Sequence, residues 1–370
     1  MLPCAVGAQR AVVRGIEPLC AQRGRRHHGQ VVRPAVERAH AGQPHHPRRR
    51  RVWRALLRVV GGLPGGGLPG QLPVSGSAPS PSADARLARA LTSLEGLSVG
   101  DAFGERTFGG SGAERVARRE LAPAPWRHTD DTQMGMAVVE VLRSHGRIDT
   151  DALAARFAER YRRDPARGYG GGAHQLLAEL GDGVPWWRAA PALFAGGSYG
   201  NGAAMRAGPV GAYFADDLAL VVEAARDSAA VTHAHHEGKA GAIAVAVAAA
   251  AVARGAASEL VTLALQHTPP GRTSDGLELA LGVPLHTSPL EAASVLGCGA
   301  EVAAFDTVPF ALWCARRHAE PCDYLEALWC TAAGRGDVDT TCAIVGSIVA
   351  LGDPPPAAWR AAREPLDLAL

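Results

Sequence analysis

From residue 85 onward the apolar residues recur at helical spacing almost without a break, and the long alternating runs that would make strands are absent. Met134, Val138, Val141 and Leu142 stand at i, i+4, i+7 and i+8 and share one helix face. Leu153, Phe157 and Tyr161 mark a second helix. Leu218, Val221, Val222 and Ala225 mark a third, and Ile344, Ile348 and Leu351 a last one. Gly- and Pro-rich clusters (GGSYGNGAAMRAGP, HTPPGRTSDG, GDPPP) divide the helices with loops. A chain of 370 residues that is 47% hydrophobic can bury a large core. The pattern therefore predicts an all-α, single-domain bundle over residues 85–370.

The segment ahead of it, residues 1–84, has a different character. Residues 1–80 hold 13 Arg against only Glu17 and Glu37, a net of about +11, which leaves the remainder at about −9. Rich in Arg, Pro and Gly and without sustained periodicity, this segment is expected to be disordered. Its basic block, Arg48 to Arg51, is the one feature that would attract nucleic acid. A disordered tail, or sequence translated upstream of the true start, is the favoured reading, and nucleic acid is not the expected partner. The apolar stretch Ala55–Leu63 is broken by Arg58 and lies too deep for a signal peptide. The most apolar run, Ala240 to Ala253, is mostly Ala and Val and shorter than a membrane span, so it is expected to be a buried helix with no membrane partner. Seven cysteines form no CxxC pair, and Cys314, Cys322 and Cys330 recur every eight residues as small buried positions would. The expectation is a reduced, cytoplasmic monomer.

Two acidic clusters carry the chemistry: Thr129-Asp130-Asp131-Thr132 and Asp337-Val338-Asp339-Thr340, each at the start of an apolar helix. Taken alone, either could be a helix cap; Asp130 with Gln133 three residues on has capping-box spacing. Brought together, the four aspartates would repel one another unless a cation neutralised them. Every donor is a hard oxygen, which favours Mg²⁺ (or Mn²⁺ or Ca²⁺) over Zn²⁺. Two divalent ions balance four carboxylates, so a binuclear site is expected.

The order of motifs resembles the ADP-ribosylglycohydrolase family: ALTSLEGLSVGDAFGE, TDDTQMGM, GGSYGNGAAMRAGPVG, VTHAHHEGKAGAIAVAVA and GRGDVDTTCAIVGSIVA in sequence. That resemblance implies an all-helical fold and a hydrolase that releases ADP-ribose from modified protein side chains or small acceptors. The alternative is a catalytically inactive ADP-ribose-binding protein on the same fold. It also carries Thr129, Asp130, Asp131, Asp337, Asp339 and Thr340 onto the metal ligands, with Asp131, Asp339 and Glu105 as the catalytic candidates. Gly197, Ser198, Tyr199, Gly200 and Asn201 become the substrate loop, whose backbone N–H groups can approach a pyrophosphate. Met205 and Arg206 are expected to pack behind that loop, and His233 to lie near the ligand's phosphates or ribose. In the opening motif, Gly100 and Gly104 are read as permitting tight turns and Asp101 as capping the segment that follows. The chain departs from the family at Arg335-Gly336-Asp337, where Gly-Gly-Asp is usual.

Overall fold

The computed structural model describes residues 81–368, so the expectation for the N-terminal segment lies outside the described residues except at its last few positions. Sixteen α-helices make up the described part: α1 (Ala83–Glu105), α2 (Gly109–Arg118), α3 (Asp130–His145), α4 (Thr150–Arg163), α5 (Gly171–Gly181), α6 (Trp186–Ala192), α7 (Gly208–Tyr213) and α8 (Leu218–Ala230). They are followed by α9 (His236–Ala253), α10 (Leu260–His267), α11 (Arg272–Gly282), α12 (Pro289–Leu296), α13 (Ala304–Arg317), α14 (Tyr324–Ala333), α15 (Val338–Val349) and α16 (Ala357–Ala362). Only isolated bridges, such as Gly200 with Ala303, occur among the described residues in place of strands. The fold is all-α, as the periodicity predicts.

Helix α9 runs through the core. Its 18 residues have a mean hydropathy of 1.2, long and apolar enough by composition to cross a membrane, yet 83% of them are buried inside the fold. The sequence run that looked too short is extended at its start by the polar turn from His236. Its Ala-rich surface lets neighbours come very near: a Cβ on Gly211 of α7 would sit 1.9 Å from the Ala246 carbonyl oxygen.

The second organising contact joins the two ends of the domain. Gly96, Gly100 and Gly104 lie one turn apart on α1, and that face meets α15. A Cβ at Gly96 would stand 2.2 Å from the Gly346 oxygen, one at Gly100 2.2 Å from the Cys342 oxygen, and one at Gly104 2.5 Å from the Val338 oxygen. These glycines are therefore interior helix positions chosen for close approach, which corrects the expectation of tight turns. Ser93 donates to the Ser347 carbonyl at 2.7 Å, and Tyr324 donates to the Gly96 carbonyl at 2.7 Å, so the seam is hydrogen-bonded as well as packed. Beside it Phe103, Trp126, Trp329 and Trp359 form an aromatic cluster with ring centroids 4.8 to 6.2 Å apart. Among the described residues Trp126, Trp313, Trp329 and Trp359 are buried, whereas Trp187 is 60% exposed. The Cys330 and Cys314 sulfurs are 4.0 Å apart, a hydrogen-bonding and not a disulfide distance.

The seam makes a test. Gly100→Ala should destabilise the protein by about 3 kcal/mol, since the added methyl overlaps backbone that cannot swing aside. Gly110→Ala, on the exposed surface of α2 with no atom within 4 Å of the new Cβ, should instead stabilise by about 0.5–1 kcal/mol. Chemical denaturation of the two variants reads both; equal shifts would mean that the seam is not tightly packed.

Candidate metal and ligand site

The first acidic cluster is positioned from outside its own helix. Thr129 is the N-cap of α3, and its hydroxyl accepts from the Asp131 N–H at 3.4 Å. Asp101, fully buried on α1, then accepts from the Thr129 N–H (3.1 and 2.9 Å), the Thr129 hydroxyl (2.8 Å), the Thr132 N–H (3.0 Å) and the Thr132 hydroxyl (2.5 Å). So Asp101 caps α3, 28 residues on, rather than the segment that follows it. Asp130 and Asp131 are released from capping and can face elsewhere. Gln133 takes no part in a capping box either, because its side-chain oxygen accepts from Arg160 at 3.0 Å. Behind the cluster, the Asp130 N–H donates to the Arg167 carbonyl at 2.8 Å, and Arg167 is paired with Glu364, which also accepts from the His128 N–H at 2.9 Å.

The second cluster begins α15. Asp337 is its N-cap residue but makes no side-chain capping bond. Its carboxylate instead accepts from the Asn201 side-chain amide at 2.8 Å, and the same amide nitrogen lies 3.1 Å from the Thr307 hydroxyl. Asn201 is buried, so it braces the second acidic cluster against the Gly-rich loop. Arg335, exposed two residues before Asp337, has φ of +63°, and the following Gly336 has φ of +79°. An Arg thus occupies a left-handed conformation suited to the glycine it replaces.

The second cluster lies against α1, where a Cβ on Gly104 would stand 2.6 Å from the Asp339 Cα, and the first cluster is near enough for Asp131 to feel the charges of Asp339 and Asp337. Their electrostatics show the cost of convergence. Burial, then Asp101, pushes the Asp130 carboxyl up to about 8, with Asp337 and Glu105 adding to it. Asp131 is raised well above the ordinary carboxylate range by burial, then by Asp101 and Asp339, and Asp339 by burial, then by Asp337 and Asp101. Burial lifts Asp101 itself to about 6, although the bonds from Thr132 and Thr129 pull the other way. Glu105, at the C-terminal end of α1, is exposed. Among the described residues no three His, Cys, Asp or Glu side chains are drawn in to a common coordination point. What fits a cation is the orphaned chemistry: Asp131 Oδ2 and Asp339 Oδ1 are buried with no hydrogen-bond partner. A buried acceptor left unmatched beside like charges is a place where positive charge lowers the energy. Thr129 and Thr340, both buried, add hydroxyl oxygens at the two helix starts.

The Gly-rich loop lies against the turn before α9. Gly196 and Gly197 both have positive φ, and a Cβ on Gly197 would strike Ala234 at 2.5 Å. The Gly200 N–H turns back onto the Ser198 hydroxyl at 3.1 Å. His233 reaches under the loop: a Cβ on Gly200 or Gly202 would come within 3.3 Å of its Nε2. Tyr199 is 48% exposed, with its ring 5.6 Å from that of His235 and 5.7 Å from that of Phe305. Beside it opens a cavity of about 510 Å³ lined by Tyr199, His235, His236, Glu237, Arg272 and Phe305 among others. None of the clustered aspartates lines it; the cavity adjoins the loop, and the loop reaches the aspartates through Asn201. Met205 and Arg206 pack behind the loop, as the sequence predicts. Sequence reasoning missed the long-range work of Asp101, the Arg167–Glu364 brace and Thr307; the only local signal was a polar residue inside an otherwise apolar helix at Asp101.

Two tests follow from this geometry. Arg335→Gly should stabilise the protein by about 1 kcal/mol by relieving the left-handed Arg, measured as a raised unfolding midpoint. The second uses pH. A carboxyl raised to about 8 is protonated in both folded and unfolded chains below its ordinary value of 3.8, so its contribution to stability is fully present there. That contribution is lost as pH rises towards 8, where the unfolded chain ionises freely and the folded one resists. A divalent cation binding only the folded form should reverse the loss. The gap in melting temperature between Mg²⁺-loaded and chelated protein should therefore widen from pH 5 to pH 8; an equal or absent gap would argue against a cation here.

With the geometry in place, the comparisons agree. The model of the family described as ADP-ribosylglycohydrolase matches residues 82–365. ADP-ribosylhydrolase ARH3 of Homo sapiens is 31% identical over 257 residues, covering 60% of this chain and 69% of that protein. The protein of the same name from Danio rerio is 30% identical over 281 residues, covering 65% and 74%. A solved structure, described as an ADP-ribosylglycohydrolase-related protein complex, superimposes with a TM-score of 0.50 at 25% identity, covering 76% of this chain and 93% of that one.

Proposed function

The chain belongs to the ADP-ribosylglycohydrolase family, and on that premise we propose that it is a Mg²⁺-dependent hydrolase that cleaves the glycosidic bond of an ADP-ribosylated side chain or small acceptor and releases ADP-ribose. Membership supports the reaction class, a hydrolase of glycosyl bonds. The observation that carries the metal dependence is the pair of orphaned carboxylate oxygens, on Asp131 and Asp339, buried where the clusters converge. In this reading Thr129, Asp130, Asp131, Asp337, Asp339 and Thr340 hold two cations, Mn²⁺ being able to replace Mg²⁺ because the donors are all oxygen. Bound cations would neutralise the carboxylates and polarise ribose or water oxygens as Lewis acids.

The chain's own groups do the rest. Asp101 fixes the orientation of Thr129 and Thr132, so the first cluster keeps its geometry whether or not a ligand is present. An aspartate among the four that keeps one oxygen free can accept the proton of the water attacking the anomeric carbon. In this reading Glu105, which is exposed, approaches the ribose or the departing group from the solvent side. The loop Gly197–Asn201 offers backbone N–H groups to the pyrophosphate, and the exposed ring of Tyr199 offers a flat face to the base, with the adjoining cavity giving it room. Asn201 then couples ligand to metal site, because it belongs to the loop and bonds Asp337. Nothing in the geometry favours the inactive alternative.

Asp131→Asn and Asp339→Asn test the proposal. Each should lower kcat/KM by about 10²-fold or more, since a charge aimed at the reacting centre is lost. Neither should lower the melting temperature of the chelated protein, because each removes one repelling carboxylate. Turnover of ADP-ribosylated Arg, Ser, nucleic-acid and small-molecule acceptors at limiting Mg²⁺ measures the first effect and identifies the acceptor; wild-type rates in both variants would sink the assignment.

A further inference from the structure

Arg206 is a completely buried cation with no carboxylate among its hydrogen-bond partners. One terminal nitrogen donates to the Gly202 carbonyl at 2.7 Å. The other donates to the Ser228 carbonyl at 2.9 Å and to the Thr232 hydroxyl at 2.8 Å. The guanidinium lies 4.6 Å from the centre of the Phe157 ring. Taking a charge out of water without an opposite charge is expensive, and an apolar side chain of similar size would fill the space at less cost. What such a side chain could not do is donate hydrogen bonds in a fixed fork.

The direction of those bonds settles the next one. A guanidinium has donors only, so Thr232 Oγ1 is the acceptor toward Arg206 and its own proton points elsewhere. The hydroxyl stands 2.7 Å from His233 Nδ1. If Nδ1 carried the proton, the Thr232 oxygen would accept from both Arg206 and Nδ1, and its own hydroxyl proton would be left without an acceptor among its hydrogen-bond partners. The bond is satisfied when Thr232 donates and Nδ1 accepts, which leaves the imidazole proton on Nε2. That atom is the one beneath Gly200 and Gly202, where a side chain on either glycine would come within 3.3 Å of it.

We propose that Arg206 is a positioning residue that acts through Thr232 to hold His233 as the neutral Nε2–H tautomer, presenting one fixed donor to a phosphate or ribose oxygen at the Gly197–Asn201 loop. The ligand's identity rests on the function proposed above; the tautomer rests on the hydrogen-bond chain alone. Electrostatics point the same way. Burial, then the charge of Arg206, pushes His233 down to about 3, so it stays uncharged at neutral pH. The same buried cation also ties three pieces of chain together, the loop at Gly202, the end of α8 at Ser228 and the turn at Thr232. The donor and the loop therefore hold a constant separation.

The full chain with ¹⁵N-labelled histidine tests this at pH 7, with the His233→Gln variant assigning the signal. Wild type should show the ring-nitrogen shifts of a neutral Nε2–H imidazole for His233. Thr232→Val, which keeps the shape and deletes the hydroxyl, should move the signal toward the other tautomer. It should also raise the ADP-ribose dissociation constant and KM by about tenfold, the usual worth of one hydrogen bond to a charged group, with kcat changed less than KM. Thr232→Ser should restore both the tautomer and the affinity, which a packing role would not require. A wild-type His233 found as Nδ1–H or as imidazolium overturns the proposal whatever the variants do. So does an unchanged tautomer and affinity in Thr232→Val. An Nε2–H signature in a wild-type chain that binds no ADP-ribose would leave the positioning role standing and remove the substrate proposal.

Discussion

The near-contact of two helix backbones at the α1–α15 seam is the constraint on which the site depends. Gly96, Gly100 and Gly104 leave no side chain between α1 and the backbone oxygens of Gly346, Cys342 and Val338. A single methyl of separation would move α1 outward and take Asp101 with it. Since Asp101 alone gathers the backbone and hydroxyls of Thr129 and Thr132, the start of α3 would follow. The aspartates of α3 and α15 face one another because glycine, and not a larger residue, lies at those positions of α1.

A second carboxylate repeats the device beside the cavity at Tyr199. Glu237, buried in the first turn of α9, accepts from the Arg272 and Thr273 N–H groups and from the Thr273 hydroxyl at 2.5 to 2.9 Å. It therefore anchors the start of α11, as Asp101 anchors the start of α3. In both cases a helix N-terminus, which would bind an anion, is satisfied by a carboxylate from a distant helix. Those bonds hold Glu237 below the usual carboxylate range despite its burial. The contrast with Asp130 and Asp131 is chemical: Glu237 is matched by donors and held ionised, whereas acids facing other acids are pushed up.

How much of this was legible in the sequence varied with range. The helices were, because period-3.6 patterning such as Met134–Leu142 is local and each helix buries the face it displays. The two acidic clusters were legible because their oxygen-only donors and repeated setting at helix starts are also local. Asp101 was misread, since its partners are 28 and 31 residues away and a polar residue in a helix most often serves its own neighbourhood. Gly100 and Gly104 were misread for the same reason: glycine's allowance for turns is a property of the residue, while its allowance for close approach depends on what lies opposite. Asn201 was read as a ligand contact; the fold adds its bond to Asp337, a link that sequence spacing does not display.

The seam also imposes an order on the making of the molecule. Helix α1 presents its bare glycine face near the beginning of the folded region, and the surface that covers it is not synthesised until about residue 346. Closing so long a span carries an entropic debt that no early contact repays. During synthesis the N-terminal helices must wait with that face uncovered, and the two aspartate clusters cannot assemble until the last helices leave the ribosome. The site is thus a late-acquired property of the whole chain: no N-terminal fragment can possess it, however many of its helices have already formed.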